Sequence, residues 1–385
     1  PPPPPPPSVY GGPIENSAAD RHRRQRDIVD LAREERVHQS QQVQTQLTRR
    51  QWPGQARRSA KLRAPFGRCA RVVHLYFCCT GLQRSPKRSS VYGIMDSFTA
   101  GVIRHHQVAV GIAVTTAACR QAQRIHGTSE LATVAVGRLL TAASLAAFSA
   151  NRKGRLSLQI VARGPLRGLF SDVTDDGAIR TMVKTPRVVR APNLDGLAQS
   201  SVARAIGEGT LTVIWQPPGK PFSQSTTALV SGEVDRDVEH FLTASDQVET
   251  HLIAAVDATS ENAVAFAGGV VLQALPDTSE GVLRQLGARL REGFESMYGR
   301  LEPGTLGAML DEEVEAVGSP ISLRWACRCS YERVLGGLRL LGPDDLADMI
   351  RKEETAQVDC EFCGRHYEVP PRDVRVLYEE MLNSD

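Results

Sequence analysis

Four of the eight cysteines form two close pairs near the C-terminus, where thiolates can either bind a metal or exchange disulfides. Cys327 and Cys329 are separated by one residue, and Cys360 and Cys363 are separated by two. Four thiolates complete the tetrahedral shell that a structural Zn²⁺ ion prefers. The two pairs, thirty residues apart, therefore predict one zinc ion per chain, bound by all four cysteines.

The same thiols can do redox chemistry. A disulfide across C-x-C encloses a single residue, so it gains little from loop closure and is expected to be strained. Strained disulfides are typically the labile and regulatory ones. Arg328 lies between the first two cysteines and Arg324 lies nearby, which favours the thiolate form. The residues are thus compatible with a zinc-based redox switch, but they do not require one.

The size of the segment around the cysteines supports a structural metal. Residues 321–385 include few large apolar side chains, and a unit this small usually needs disulfides or a structural metal ion to be stable. Zinc contributes about 10–16 kcal/mol to the folding of finger peptides, so its loss should unfold the segment. His366 follows Cys363 by three residues; because four cysteines are available, we expect it to be a solvent-facing residue of the strand "HYEV" rather than a ligand.

The N-terminal quarter differs in composition from the rest of the chain. Residues 1–94 begin with seven prolines and contain 17 Lys/Arg against 6 Asp/Glu, whereas the remainder contains 29 against 37. They lack a periodic apolar pattern, so we interpret them as a disordered basic leader or translated sequence upstream of Met95. An Arg-rich leader with few acidic residues can alternatively be an organelle transit peptide.

Residues 95–276 predict an α+β domain with a mainly antiparallel sheet. Helices are expected at 115–127, 129–148 and 235–248, the last with Val234, Val238, Phe241 and Leu242 on one face. Cys119, inside the first helix, is expected to be a small buried hydrophobe. Strands are expected around Leu156–Ile160 and at 177–183, 209–215, 226–234, 251–258 and 263–275.

The sequence pattern of residues 277–320 predicts a metastable linker of two helices. Leu283, Leu286, Leu290, Phe294 and Met297 form one apolar stripe, and a second helical piece is expected within 302–320. Gly287 and Gly293 interrupt the first helix, and each glycine costs about 1 kcal/mol relative to alanine. We therefore expect alanine at either position to stabilise this helix.

These motifs resemble the heat shock protein 33 family of redox-regulated chaperonins over residues 95–385. The resemblance is carried by "CRCSYERV" and "VDCEFCGRHYEV" around the cysteines, and by "VGRLLTAA", "GPLRGL", "SDQV" and "AGGVVLQALP" in the core. The sequence departs from the usual family pattern at Val136, at Asp246, and at Arg328, where Asp or Pro is common. The first ninety-four residues have no counterpart in the family.

The resemblance implies a chaperone that prevents the aggregation of unfolding proteins under oxidative stress and has no enzymatic activity. The reduced form would be inactive, with Zn²⁺ bound by Cys327, Cys329, Cys360 and Cys363. Oxidation would form the disulfides Cys327–Cys329 and Cys360–Cys363, release zinc and unfold the linker. The partners implied are unfolded or partly unfolded client proteins, with a homodimer as an option in the oxidised state, and the compartment implied is the cytoplasm.

Two other functions are compatible with the cysteines. A thiol–disulfide oxidoreductase would use Cys360 and Cys363, but that chemistry normally places C-x-x-C at the start of a helix. A nucleic-acid-binding zinc ribbon would need basic residues for phosphate, whereas residues 321–385 contain 9 Lys/Arg against 13 Asp/Glu. We therefore expect no nucleic-acid partner. No uninterrupted apolar run reaches 18 residues, so no membrane span is expected either.

Overall fold

The structure is a computed structural model that describes residues 95–149, 153–188, 201–258 and 264–383. The predicted leader, residues 1–94, lies outside the described residues. The described residues fall into two compact units. The larger unit contains residues 95–334 and 358–368, and the smaller contains 335–357 and 369–383. The boundaries predicted at residues 277 and 321 remain predictions.

The described residues form strands and helices in the following order. The strands are β1 (Ser97–Ile103), β2 (Val108–Val114), β3 (Arg155–Ala162), β4 (Gly168–Thr174), β5 (Ala178–Val183), β6 (Gly209–Gln216), β7 (Ser223–Ala228), β8 (Thr250–Ala258), β9 (Val264–Ala274), β10 (Glu315–Ser322), β11 (Arg324–Trp325), β12 (Ala356–Asp359) and β13 (His366–Val369). The helices are α1 (Thr116–His126), α2 (Glu130–Ser149), α3 (Ser201–Ile206), α4 (Val234–Asp246), α5 (Val282–Gly293), α6 (Pro303–Leu310), α7 (Tyr331–Leu338), α8 (Pro343–Arg351) and α9 (Pro371–Leu382). Short 3₁₀ turns cover Arg104–His106, Phe294–Met297 and Arg339–Leu341.

Two sheets form the frame of the larger unit. One has five strands in the order β10-β1-β2-β9-β8, and the other has six in the order β11-β5-β4-β3-β6-β7. Neighbouring strands are antiparallel except at the short pair β11 and β5. The predicted α+β class with a mainly antiparallel sheet is therefore confirmed.

Helix α2 is the centre of the core and contacts strands of both sheets. It is apolar on all sides, which is typical of a buried helix, and 78% of its most apolar window is buried although its length and hydropathy would suit a membrane span. Small residues let its neighbours approach closely. A Cβ atom on Gly137 would lie 2.6 Å from Sγ of Cys119. Cys119 is fully buried as predicted, and burial raises the pKa of its thiol to about 12.

Residues 277–320 belong to the larger unit and pack on the five-stranded sheet. The predicted apolar stripe is confirmed, because all five of its side chains are buried in one cluster with residues of β1, β2 and β9. The second predicted helix is only partly correct. Helix α6 ends at Leu310, and Glu315–Ser322 forms strand β10, which pairs with β1.

The expectation that alanine simply stabilises α5 is wrong at Gly287, whereas at Gly293 it stays a prediction. A Cβ atom on Gly287 would lie 2.5 Å from Cδ2 of the His251 ring. A Cβ atom on Gly293 would lie 2.5 Å from Sδ of Met309, a flexible side chain that can move more easily. The glycine at 287 therefore permits the close approach of α5 to β8.

Other predicted elements are largely confirmed, but one boundary was wrong and several elements were missed. The predicted strand at 226–234 ends at Ala228, and Val234 already begins α4. Several elements were not predicted: strands β1, β2, β4, β11 and β12, and helices α3, α7, α8 and α9. The predicted apolar face of α4 is confirmed, since Val234, Val238 and Leu242 are buried and Phe241 packs partly buried against the same core.

The smaller unit consists mainly of helices. Helix α8 packs against α9, and Leu346, Val374 and Leu377 are buried. An ion pair joins Arg339 to Glu380. Strands β12 and β13 pair with each other, and residues 358–368, which include parts of both strands and the second cysteine pair, belong to the larger unit.

Candidate metal centre

The four cysteines lie on two short segments of the larger unit. Cys327 and Cys329 follow β11, and Cys360 and Cys363 lie in the turn between β12 and β13. This turn is closed by two backbone hydrogen bonds, from the N–H of Cys360 to the carbonyl of Arg365 and from the N–H of Gly364 to the carbonyl of Cys360. Gly364 has a φ of 69°, a left-handed conformation that glycine adopts without strain.

The sulfur atoms of these cysteines converge on one point. All four Sγ atoms lie within 4.8 Å of one another. Sγ of Cys327 is 3.6 Å from Sγ of Cys360, and Sγ of Cys329 is 3.5 Å from Sγ of Cys363. Four sulfurs around Zn²⁺ at about 2.3 Å would be about 3.8 Å apart. The thiols are free, and their spacing suits a tetrahedral metal site better than a bonded S–S pair of about 2.0 Å.

The electrostatics of the cluster also suit a cation. Burial alone would raise the pKa of Cys327, but hydrogen bonds from the Cys329 backbone, from the two thiols of the second pair and from Arg180 lower it to about 7. Burial and the neighbouring thiols raise the pKa of Cys363 to about 12. One thiolate forms readily, and each further negative charge is opposed by those already present. A divalent cation supplies the charge that would allow all four to ionise.

Arg180, on β5, contacts both segments of the cluster. Its Nη1 atom donates to Sγ of Cys327 at 3.5 Å. Its guanidinium carbon lies 3.9 Å from the centroid of the Phe362 ring, within the range of a cation–π interaction. Phe362 stands between Cys360 and Cys363, so one core side chain contacts a member of the first pair and the turn that contains the second.

Arg180 is itself positioned by buried polar groups. Its Nε atom donates to the Asp172 carboxylate at 2.8 Å, and Ser157 donates to the other oxygen of Asp172 at 2.5 Å. Arg180 and Asp172 are both buried, and a buried charge is retained only when it is paired and hydrogen-bonded. The six-stranded sheet therefore holds the guanidinium in one place beside the cysteines.

Two further contacts surround the second pair. Lys184 forms an exposed ion pair with Glu361 at 3.0 Å. His366 begins β13 with half of its side chain exposed, and its Nδ1 atom lies 2.7 Å from the carboxylate of Asp359. The expected exposed strand position of His366 is therefore confirmed. It is not among the residues that form the sulfur cluster.

Sequence reasoning identified the four cysteines but missed Arg180 and Phe362. The sequence carries no local signal for Arg180, which is 147 residues from Cys327. Phe362 does carry one, because it is the one large apolar side chain inside "CEFC". A large apolar side chain in a tight turn indicates a packing contact with a residue outside the turn.

Comparison with known proteins gives a consistent result. Residues 96–370 match the family described as Hsp33 protein. The chain is 36% identical to the 33 kDa chaperonins of Acaryochloris marina and Synechococcus elongatus over 282 residues, which is 71% of this chain and 93% of each relative. The crystal structure of the 33 kDa chaperonin from Thermotoga maritima has a TM-score of 0.65 and 25% identity, and the match covers 75% of this chain and 99% of that one.

Proposed function

The chain belongs to the Hsp33 protein family, and we propose that it is a redox-regulated chaperone that binds unfolding proteins and prevents their aggregation. The observation that carries the redox part of the proposal is the cluster of four free thiols within 4.8 Å of one another. A cluster of this kind can exist in two chemical states, one binding a metal and one oxidised.

In the reduced state, Cys327, Cys329, Cys360 and Cys363 would hold one Zn²⁺ ion, which supplies the positive charge that keeps four thiolates together. Arg180 donates to Cys327 and stacks on Phe362, so the core sheet stabilises the same arrangement. This state would leave the client-binding surface covered and the chaperone inactive.

In the oxidised state, each cysteine pair would form a disulfide, Cys327–Cys329 and Cys360–Cys363. Peroxide oxidises one thiolate to a sulfenic acid, and the second thiolate attacks that sulfur, forming the S–S bond and expelling hydroxide. Formation of each disulfide transfers two electrons from the cysteine pair to one peroxide molecule. The sulfurs then lack the negative charge that binds a metal, so zinc would be released.

Loss of the metal would release the surface that binds clients. Leu283, Leu286 and Leu290 of α5 are 0%, 2% and 1% exposed, and they cover apolar residues of β1, β2 and β9. If residues 277–320 leave the sheet, both apolar surfaces become available to unfolded chains. Gly287 and Gly293 lower the intrinsic helix propensity of α5, which supports such a release.

The position of the second pair argues against the oxidoreductase alternative. Cys360 and Cys363 lie in a turn between two strands rather than at the start of a helix, and so they lack the helix N-terminus that lowers the pKa of a catalytic C-x-x-C thiol. Failure of the zinc-free protein to reduce insulin would agree with this assignment. Salt-dependent binding to duplex DNA would support a zinc ribbon instead.

Two measurements test the proposal at the level of the site. The reduced protein should bind one zinc ion through the cysteine cluster, and replacement of any one of the four by serine should weaken that binding strongly. Peptide mapping after peroxide treatment should recover Cys327–Cys329 and Cys360–Cys363. Bonds between the two pairs, such as Cys327–Cys360, would contradict the proposed switch.

Partners and compartment follow from the same proposal. Clients would be unfolded or partly unfolded proteins, and the oxidised form could assemble as a homodimer through its newly exposed apolar surface. The proposed resting state, with reduced thiolates on zinc, would suit the cytoplasm, where thiols are kept reduced. A reducing organelle is the alternative if residues 1–94 include a transit peptide.

A further inference from the structure

Two adjacent histidines and one glutamate form a second cluster of metal-binding atoms in the larger unit, away from the cysteines. His105 and His106 belong to the 3₁₀ turn between β1 and β2, and Glu312 follows α6 in the segment 277–320. Nε2 and carboxylate oxygen atoms of the three residues all lie within 4.8 Å of one another. Neither the family resemblance nor the proposed switch gives these residues a role.

The histidines pair with the glutamate at distances that also fit ligands shared by one ion. Nε2 of His105 is 2.8 Å from Oε2 of Glu312, and Nε2 of His106 is 3.2 Å from Oε1 of the same carboxylate. Nitrogen and oxygen ligands at about 2.0–2.2 Å from Zn²⁺ would be separated by about 2.8–3.1 Å in octahedral and about 3.3–3.6 Å in tetrahedral geometry. The observed separations therefore need little adjustment to receive an ion.

The backbone holds the ligands in place before any ion binds. The two imidazole rings are only 3.9 Å apart, although adjacent residues commonly point in different directions. Gln107 closes their turn in a left-handed conformation with φ of 53°, and its N–H bonds to the carbonyl of Arg104. Glu312 is fixed by a hydrogen bond from its N–H to the carbonyl of Gly307, and its side chain is only 11% exposed.

The surroundings of the cluster favour a cation. It borders a cavity of about 630 Å³ whose lining includes His105, Asp311, Glu312 and Glu313 and has no lysine or arginine among the described residues. The nearest cation in sequence, Arg104, is already paired with Glu315. His105 is 59% exposed, so water can enter to complete a coordination shell.

We propose that His105, His106 and Glu312 form a second, solvent-accessible site for a divalent transition ion such as Zn²⁺ or Ni²⁺. Two imidazoles and one carboxylate are the donor set that suits these ions, whereas Mg²⁺ and Ca²⁺ prefer oxygen ligands alone. The site has three protein ligands and open positions, so it binds less tightly than a closed four-thiolate site. A bound ion joins the β1–β2 turn to the end of α6, two places 206 residues apart in the chain.

The test is a calorimetric titration of Zn²⁺ into the full-length reduced protein whose cysteine site is already loaded with zinc. Wild type should bind a further ion, and its melting temperature should rise with added zinc because the ligand binds the folded state. The variants H106Q and E312Q should weaken this event by at least the 10–100-fold that loss of an outer-shell partner typically costs. Gln keeps a hydrogen-bond donor at 106, so H106Q separates metal binding from a simple hydrogen-bonded cluster.

A matched control removes a histidine that lies elsewhere. H240Q changes an exposed histidine on α4 and should leave the second binding event unchanged. The leader contains three further histidines, His22, His38 and His74, so the decisive quantity is the difference between variants. If H106Q and E312Q, folded and loaded at the cysteines, take up the second ion like wild type, the assignment is wrong.

Discussion

The guanidinium carbon of Arg180 lies 3.9 Å from the centroid of the Phe362 ring, while the same side chain donates to Sγ of Cys327 at 3.5 Å. A residue of the core sheet thus contacts both cysteine segments at once. Nε of Arg180 also donates to the Asp172 carboxylate at 2.8 Å. Because Arg180 is bound to the sheet in this way, the sheet and the thiol cluster stabilise each other. The rate at which the cluster opens should therefore depend on residues that are not ligands.

Removing the Phe362 ring should loosen the cluster without changing a thiol. A cation–π contact is worth about 0.5–1 kcal/mol at partly exposed sites, so F362L should release zinc about two- to fivefold faster under peroxide. A chromogenic chelator measures this rate. The control is F222L, since Phe222 is 62% exposed and lies outside the cluster. Equal rates for wild type and F362L would show that the stacking does not restrain the metal site.

Two glycines of the segment 277–320 should respond to alanine in opposite directions. At Gly304, in the first turn of α6, an added Cβ would meet nothing within 4 Å, so G304A should stabilise the helix by up to about 1 kcal/mol. At Gly287, the Cβ would press on the His251 ring, and overpacking typically costs about 1–3 kcal/mol. The melting temperature should therefore rise in G304A and fall in G287A.

The same two variants test whether release of this segment limits activation. Neither replaces a cysteine, so zinc release by peroxide should match wild type in both. G304A should then suppress aggregation only at a higher temperature, and G287A already at a lower one. If both protect clients like wild type despite shifted melting temperatures, the client-binding surface does not depend on unfolding of residues 277–320.

Asp96 should make stability depend on pH in an unusual direction. Burial raises its pKa to about 6, despite hydrogen bonds from the N–H groups of Ala117 and Ala118. Between the ordinary pKa of 3.8 and about 6 the folded state binds more protons than the unfolded state, so this group's contribution to stability falls as pH rises through that window. Above about pH 6 its contribution is constant.

Denaturant unfolding of wild type and D96N at several pH values isolates this effect. The stability of wild type relative to D96N should decrease from pH 4 to pH 6 and then stay level. An advantage of wild type that instead grows with pH over this window would mean that the hydrogen bonds from α1 outweigh burial.

The leader should be dispensable for the fold and the proposed activity. The family match begins at residue 96, and residues 1–94 carry a basic excess that the remainder lacks. A chain starting at Met95 should fold, bind zinc at the cysteines and protect clients like the full chain. Zinc content and light scattering check this, and an insoluble or inactive truncated chain would show that the leader contributes to the fold.

The sequence alone was sufficient to predict those elements whose residue spacing or composition is distinctive. Spacing and composition show the C-x-C pair, the C-x-x-C pair, the apolar stripe of α5 and the buried helix α2. Strand β10 was assigned to a helix because "EAVGSPIS" has no buried face, and its pairing with β1 comes from residues more than two hundred positions away.

The supporting contacts of the site depend on the same long-range placement. Arg180 lies in "GAIRTMV", and nothing in that strand indicates a thiol neighbour. The effect of alanine at Gly287 was likewise misjudged because helix propensity is local, whereas the His251 ring that fills the space belongs to β8. Tertiary packing decides such positions, and one sequence does not show it.

A peroxide titration in which zinc release, disulfide content and suppression of aggregation are followed in the same samples tests the proposed redox switch as a whole. The reduced, zinc-loaded protein should fail to protect a thermally unfolding reporter enzyme. Protection should appear in step with loss of one zinc ion and formation of two disulfides, and it should reverse when thiol reductant and zinc are restored. Full protection by the reduced, zinc-loaded protein, or zinc release without any gain in protection, would contradict the proposed redox switch.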